Sequence, residues 1–142
     1  HYRDRRQRQM CIRDRISPKA WLDEDVTYHD ACYLGRHNDE YDAPRDVIQS
    51  IMKNGSLVEM EKSREESFCC GAGGGNMWYE IKTGERINHN RFKQAADTGA
   101  TTVATSCNFC NIMMEDGMKV TGNDDKMKVM DIAELVSKSL SN

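Results

Sequence analysis

Two periodicities alternate along the chain from residue 26 to residue 140. Short runs rich in β-branched and apolar residues at 26–29, 57–60, 101–105 and 128–130 predict four strands. Helical spacing fills the intervals. Ala43, Val47, Ile48 and Ile51 follow Asp42 and Pro44, with Gly55 as the stop. A longer helical stretch starts near Asn76 with Met77, Trp78 and Ile81. It breaks near Thr83 and Gly84, resumes through Ile87, Phe92, Ala95 and Ala96, and ends at Gly99 as at a C-cap. Residues 106–110 turn into a helix carrying Met113, Met114 and Gly117. Asp131 and Glu134 have the spacing of a capping box ahead of a last helix, whose apolar face is Ile132, Leu135, Val136 and Leu140.

Strands alternating with helices of this length predict an α/β fold. We expect a Rossmann-like parallel sheet of about four strands with flanking helices. Ligand sites in such sheets form at the carboxyl ends of the strands. Cys32, the pair Cys69-Cys70 and Cys107 each follow a predicted strand, so the topology carries them to one edge.

The chain of 142 residues is long enough for one ordinary core. No apolar run approaches the length of a membrane span, and the net charge of -3 gives no case for nucleic-acid binding. The charge is uneven, however. Residues 1–15 hold six Arg and two Asp, whereas the remaining residues carry a net charge of -7. We read 1–15 as a non-native or disordered basic segment, of the kind a sequencing artefact leaves, and set it outside the fold. Cys11 falls with it. Residues 16–142 are then the domain, expected to be a fragment of a larger protein.

Five cysteines remain. Cys32 is separated from Cys69-Cys70 by 36 residues, and the pair is separated from Cys107 by another 36, with Cys110 completing a CxxC. Four chemistries compete for this pattern. Buried core thiols are the blandest, but glycine and polar residues surround four of the five. Disulfides need an oxidising compartment, and adjacent cysteines pair with each other only under strain. Zinc takes four N or S ligands, for which a CxxC is one half. An iron–sulfur cluster takes thiolates and needs backbone N–H groups aimed at its sulfurs. The glycine-rich run at 71–75 suits that last purpose, because its backbone can approach closely, and a helix starting near Asn76 would add a positive end. The run has neither the Lys-Ser/Thr of a phosphate loop nor the dinucleotide spacing.

The segments HDACYLGRHNDEYDAPRDV, FCCGAGGGNMW and ATSCNFCNIM resemble the cysteine-rich CCG-domain family. That family occurs in heterodisulfide reductase and in the iron–sulfur components of glycolate oxidase and anaerobic glycerol-3-phosphate dehydrogenase. The similarity is greatest to the last domain of membrane-anchored iron–sulfur oxidoreductases linked to electron-transfer flavoprotein and quinone. The resemblance implies Cys32, Cys69, Cys70, Cys107 and Cys110 as ligands of a [4Fe-4S] cluster, non-cubane in the heterodisulfide reductase branch. Gly71, Gly73 and Gly74 would stand against the cluster. Ala31, Ala72 and Asn108 depart from the family's usual Pro, Gly and Pro, and none removes a ligand.

The function expected is therefore electron transfer within an oxidoreductase, between a flavoprotein or organic substrate and a quinone or disulfide acceptor. The location implied is cytoplasmic, at the inner face of the membrane through segments not present in this chain. The rival from another class is a zinc-stabilised structural or interaction module without redox activity. Secondary candidates are His29 and Asp30, as sulfur hydrogen-bond donor, proton relay or plain strand end. Arg36 and His37 could meet an anion, and Trp78 and Tyr79 could shield the site or pack in the core. Met113 and Met114 read as helix packing.

Overall fold

The computed structural model describes residues 20–79 and 83–140. The segment 1–15, with Cys11, lies outside them, as does Ile81. Three parallel strands form the sheet: β1 (Val26–Tyr28), β2 (Thr102–Thr105) and β3 (Lys128–Asp131), in the order β1-β2-β3. Thr27 pairs with Val103, and Val103 with Val129.

Side chains alternate across the sheet, as a pleated strand requires. Val26, Tyr28, Ala104 and Met130 face one core, shared with Ile48 of α2 (Asp42–Ser50), Ile51 just after it and Leu135 of α5 (Ile132–Leu140). Val103 and Val129 face the other. There they meet Phe92 and Ala95 of α3 (Ile87–Ala96) and Met114 of α4 (Asn108–Val120). Helices thus cover both faces, and the fold is the α/β layer expected. Met113 and Met114 are buried packing residues, as the helical spacing implies. The capping box also forms: Ala133 N–H donates to Asp131 Oδ1 at 2.8 Å, and Asp131 N–H to Glu134 Oε2 at 3.4 Å.

Three expectations need correction. Among the described residues the sheet has three strands, not four. Residues 57–60 contribute one parallel bridge, Leu57 to Val26, flanked by Val26 N–H to Ser56 O and Val58 N–H to Val26 O. Pairing stops there because Glu59 is drawn to Arg45 and Met60 turns into the opposite core. The first long helix ends at Ser50, short of Gly55. Finally, no α-helix starts at Asn76. Gly73–Trp78 is a pair of 3₁₀ turns, with Gly74 and Gly75 at φ of 67° and 76°, and the chain is extended again at Tyr79. Two successive left-handed glycines break the helical course that the apolar spacing suggested.

Candidate metal centre

The sheet register sets the site. His29 N–H donates to Ala104 O at 2.9 Å, carrying the β1–β2 pairing one residue beyond β1. The chain then leaves through Ala31 to Cys32 and the short helix α1 (Gly35–Asn38). Beside it, β2 ends at Thr105, and Ser106 shares a 2.7 Å hydrogen bond with the Tyr28 hydroxyl. Cys107 is the N-cap residue of α4, and Cys110 lies in its first turn. Cys69 and Cys70 arrive from the third direction, after a 3₁₀ turn at Arg64–Glu66. Arg36 ties the first loop to this one through the Ser67 carbonyl.

All five cysteines line one cavity of about 670 Å³. Its other walls include Ala31, Tyr33, Met77, Trp78 and Phe109, and among the described residues no carboxylate lines it. Cys70 and Cys110 are buried at its floor, Cys69 and Cys107 are half-buried, and Cys32 is exposed at the rim. All five are free thiols. Of the predicted glycines, Gly71 donates its N–H to Cys69 Sγ at 3.3 Å and Gly73 lines the cavity. Gly75 lines it too, whereas Gly74 is not in the wall. The helix end expected near Asn76 is supplied instead by α4, whose first turn carries Cys110.

The thiols influence one another. Cys110 donates to Cys70 Sγ at 3.4 Å. That bond pulls the Cys70 pKa well down, with further hydrogen bonds from His29 and the Ala72 N–H overcoming burial. The same bond pushes Cys110 up, and burial adds to it. Cys32 is raised by desolvation and then by Cys69, Cys70 and Cys107. Five sulfurs thus crowd a cavity whose lining, among the described residues, includes no cationic side chain.

Two buried arginines stand behind it. Arg45 binds Asp30 with both terminal nitrogens, at 2.7 and 3.0 Å, and reaches Glu59 at 2.6 Å through Nε. Burial opposes its charge, but the two carboxylates outweigh this and hold it more firmly protonated than usual. Arg91 is fully buried and makes no carboxylate ion pair among the described residues. It donates to His29 Nδ1 at 3.0 Å, to Lys62 O and Gln94 Oε1 at 2.8 Å, and to Ser67 Oγ at 3.2 Å. Desolvation lowers its pKa to about 10, which leaves it charged at neutral pH. Burying a cation costs several kcal/mol, and the groups that favour its charge are Asp30 first, then Cys110, Cys70 and Glu59. The donor set and this standing charge therefore fit an anionic, sulfur-bound group.

Arg91 and Arg45 escaped the sequence reading. The signal for Arg91 was there: Asn88, Arg91, Phe92 and Ala95 form the buried stripe of α3, so a guanidinium sits at a core position. His29 and Asp30, for which a plain polar strand end was one reading, are both buried and both partnered. Trp78 and Tyr79 are 78% and 68% exposed, so they do not pack in the core. His37 is exposed beside Tyr33.

These features define a cysteine-rich α/β domain with its thiols gathered beyond the strand ends. A family model described as a cysteine-rich domain, CCG, matches residues 26–115, and the chain belongs to that family. It is 44% identical over 126 residues to a Bacillus subtilis protein described as "Probable iron-sulfur-binding oxidoreductase FadF", covering 89% of this chain and 18% of that protein. It is 41% identical to the EtfAB:quinone oxidoreductase of Syntrophomonas wolfei, with the same two coverages. It is 36% identical to a component of the dihydromethanophenazine:CoB–CoM heterodisulfide reductase of Methanosarcina barkeri, covering 89% of this chain and 30% of that component. The chain thus spans less than a third of the length of these relatives. No solved structure matches it. Among the described residues, no helix is long and apolar enough to cross a membrane.

Proposed function

We propose that residues 16–142 form an iron–sulfur electron-transfer domain of a larger oxidoreductase. Cys32, Cys69, Cys70, Cys107 and Cys110 would be the cluster ligands, and 1–15 would be no part of the domain. The observation that carries this reading is the convergence of five thiols on one largely apolar cavity backed by a buried guanidinium that has only neutral direct partners. Relatives named for iron–sulfur binding and for quinone and heterodisulfide reduction support it. We infer electron-transfer flavoprotein as donor and a quinone as acceptor, reached through parts of the parent protein outside this chain. A relative described as a "Probable membrane-anchored ferredoxin" supports placing the parent at the membrane.

When bound, the cluster supplies one-electron redox chemistry. The chain's own residues do the rest. Gly71 N–H bonds the sulfur of Cys69, and Ala72 N–H that of Cys70. The first turn of α4 brings its positive end to the thiolates. Met77, Phe109 and Trp78 limit water around the cavity. Arg91 offsets negative charge from behind the floor.

Anaerobic reconstitution with ferrous iron and sulfide, followed by iron and sulfide counting and EPR of the reduced protein, tests the proposal. The expected result is a brown protein with about four irons per chain. Stoichiometric zinc with no visible absorption, and no uptake of iron, would overturn it in favour of a zinc-stabilised module.

A further inference from the structure

We propose that His29 donates a hydrogen bond to the Cys70 sulfur and is not a metal ligand, and that Arg91 imposes this role by fixing the imidazole tautomer. The inference rests on the metal-centre reading above and assigns a role within it.

By distance alone His29 is a candidate ligand. One of its ring nitrogens, Cys70 Sγ and Cys110 Sγ all lie within 4.8 Å of one another, and all three residues are buried. Two thiols and an imidazole at that spacing are three quarters of a common zinc set. Hydrogen-bond chemistry decides otherwise. Arg91 Nε lies 3.0 Å from His29 Nδ1. A guanidinium has only donors, so Nδ1 must present its lone pair. The single proton of the neutral ring then sits on Nε2, and Cys70 Sγ, within 4.8 Å of a ring nitrogen, is the acceptor at hand. A nitrogen that carries a proton cannot coordinate metal.

The lock is rigid. Arg91 cannot swing aside without losing the Lys62 carbonyl, Gln94 and Ser67. Arg91 is thus a positioning residue. It acts on the sulfur through His29, and the N–H it enforces withdraws charge from that sulfur and favours the reduced state of a sulfur-bound cluster.

Two arms test this. In the metal-free, reduced protein labelled with ¹⁵N-histidine, NMR should show His29 as the Nε2–H tautomer, and Arg91→Met should release it to a mixture. An Nδ1–H ring in the unsubstituted protein overturns the inference whether or not iron is ever bound. In the iron-loaded protein with the same label, pulsed EPR should show only the weak nitrogen coupling of a hydrogen-bonded ring. Coupling of the size of a coordinated nitrogen overturns it. His29→Gln, which keeps an N–H donor, should retain iron and a midpoint potential near that of the parent. His29→Phe should retain iron at a lower potential. Loss of iron from His29→Gln to the extent seen for Cys70→Ala, in a protein that still folds by circular dichroism, also overturns it. If no iron binds at all, the metal-centre reading fails, and the NMR arm still decides the tautomer lock.

Discussion

Asp30 and Arg45, fifteen positions apart, form an ion pair of 2.7 Å in which both side chains are at least 95% buried. The pair joins the end of β1 to α2, and Asp30 also accepts the Arg64 backbone N–H at 2.8 Å. One carboxylate therefore fixes the approach of two loops to the cavity: the one that leads to Cys32 and the one that leads to Cys69.

Asp30→Ala strands a buried guanidinium and frees the Arg64 N–H. Removing one partner of a buried pair costs about 3–5 kcal/mol. The lower figure applies here because Glu59 still faces Arg45. Urea denaturation of the metal-free protein should show the loss, and Asp30→Asn should lose less because it keeps an acceptor for Arg64.

Asp25 holds the bridge strand in place from the solvent side. It accepts both the N–H and the hydroxyl of Ser56, at 2.8 and 2.6 Å, and these bonds depress its pKa below 3.8. A depressed carboxylate stabilises the fold above its unfolded-state pKa and stops doing so as the pH falls through its folded value. Asp25→Ala should therefore be less stable than the parent at pH 7, and the two should converge below about pH 3.8, the ordinary aspartate value. Denaturant melts across this range check the sign.

Gly117 marks the closest approach of α4 to α3. A methyl group there would stand 2.8 Å from both the Asn88 carbonyl oxygen and Phe92 Cβ. Gly117→Ala should push the helices apart at a cost of about 1–3 kcal/mol, although alanine is the better helix former. Thermal unfolding should register a lower Tm.

The five thiols should not be interchangeable with the sixth. Cys69→Ala, Cys70→Ala and Cys110→Ala should each lose most of the reconstituted iron and its visible absorbance, whereas Cys11→Ala should change neither. Full retention of iron in both Cys69→Ala and Cys70→Ala would remove the pair from the ligand set.

The sheet was legible because its strands are short β-branched runs, as fits strands buried on both faces such as Val26, Thr27 and Tyr28. The spacing of the cysteines, read with strand-end topology, put Cys32 and Cys107 at one edge, and both line the same cavity. What the sequence concealed depends on tertiary partners. Residues 57–60 have strand composition, but the pull of Arg45 on Glu59 cuts the pairing short. Met77 and Trp78 have helical spacing, but they serve a cavity wall after a glycine break. Arg91 shares a helical stripe with Asn88, Phe92 and Ala95, but only the docking of α3 shows that this stripe faces the sheet.

The order in which the strands are laid down bears on how this protein is supplied with metal. β2 is the middle strand, yet it is made long after β1, and Cys107 and Cys110 follow it. A nascent chain emerging from the ribosome can offer Cys32, Cys69 and Cys70 early, but not in their final places, because the strand that joins them to the last two thiols has yet to be synthesised. A centre built on all five thiols must then wait until Cys110 has been synthesised and for a long-range parallel pairing, which is slow to form. Loading of such a centre therefore has to follow the folding of the whole domain rather than of its first two cysteine loops.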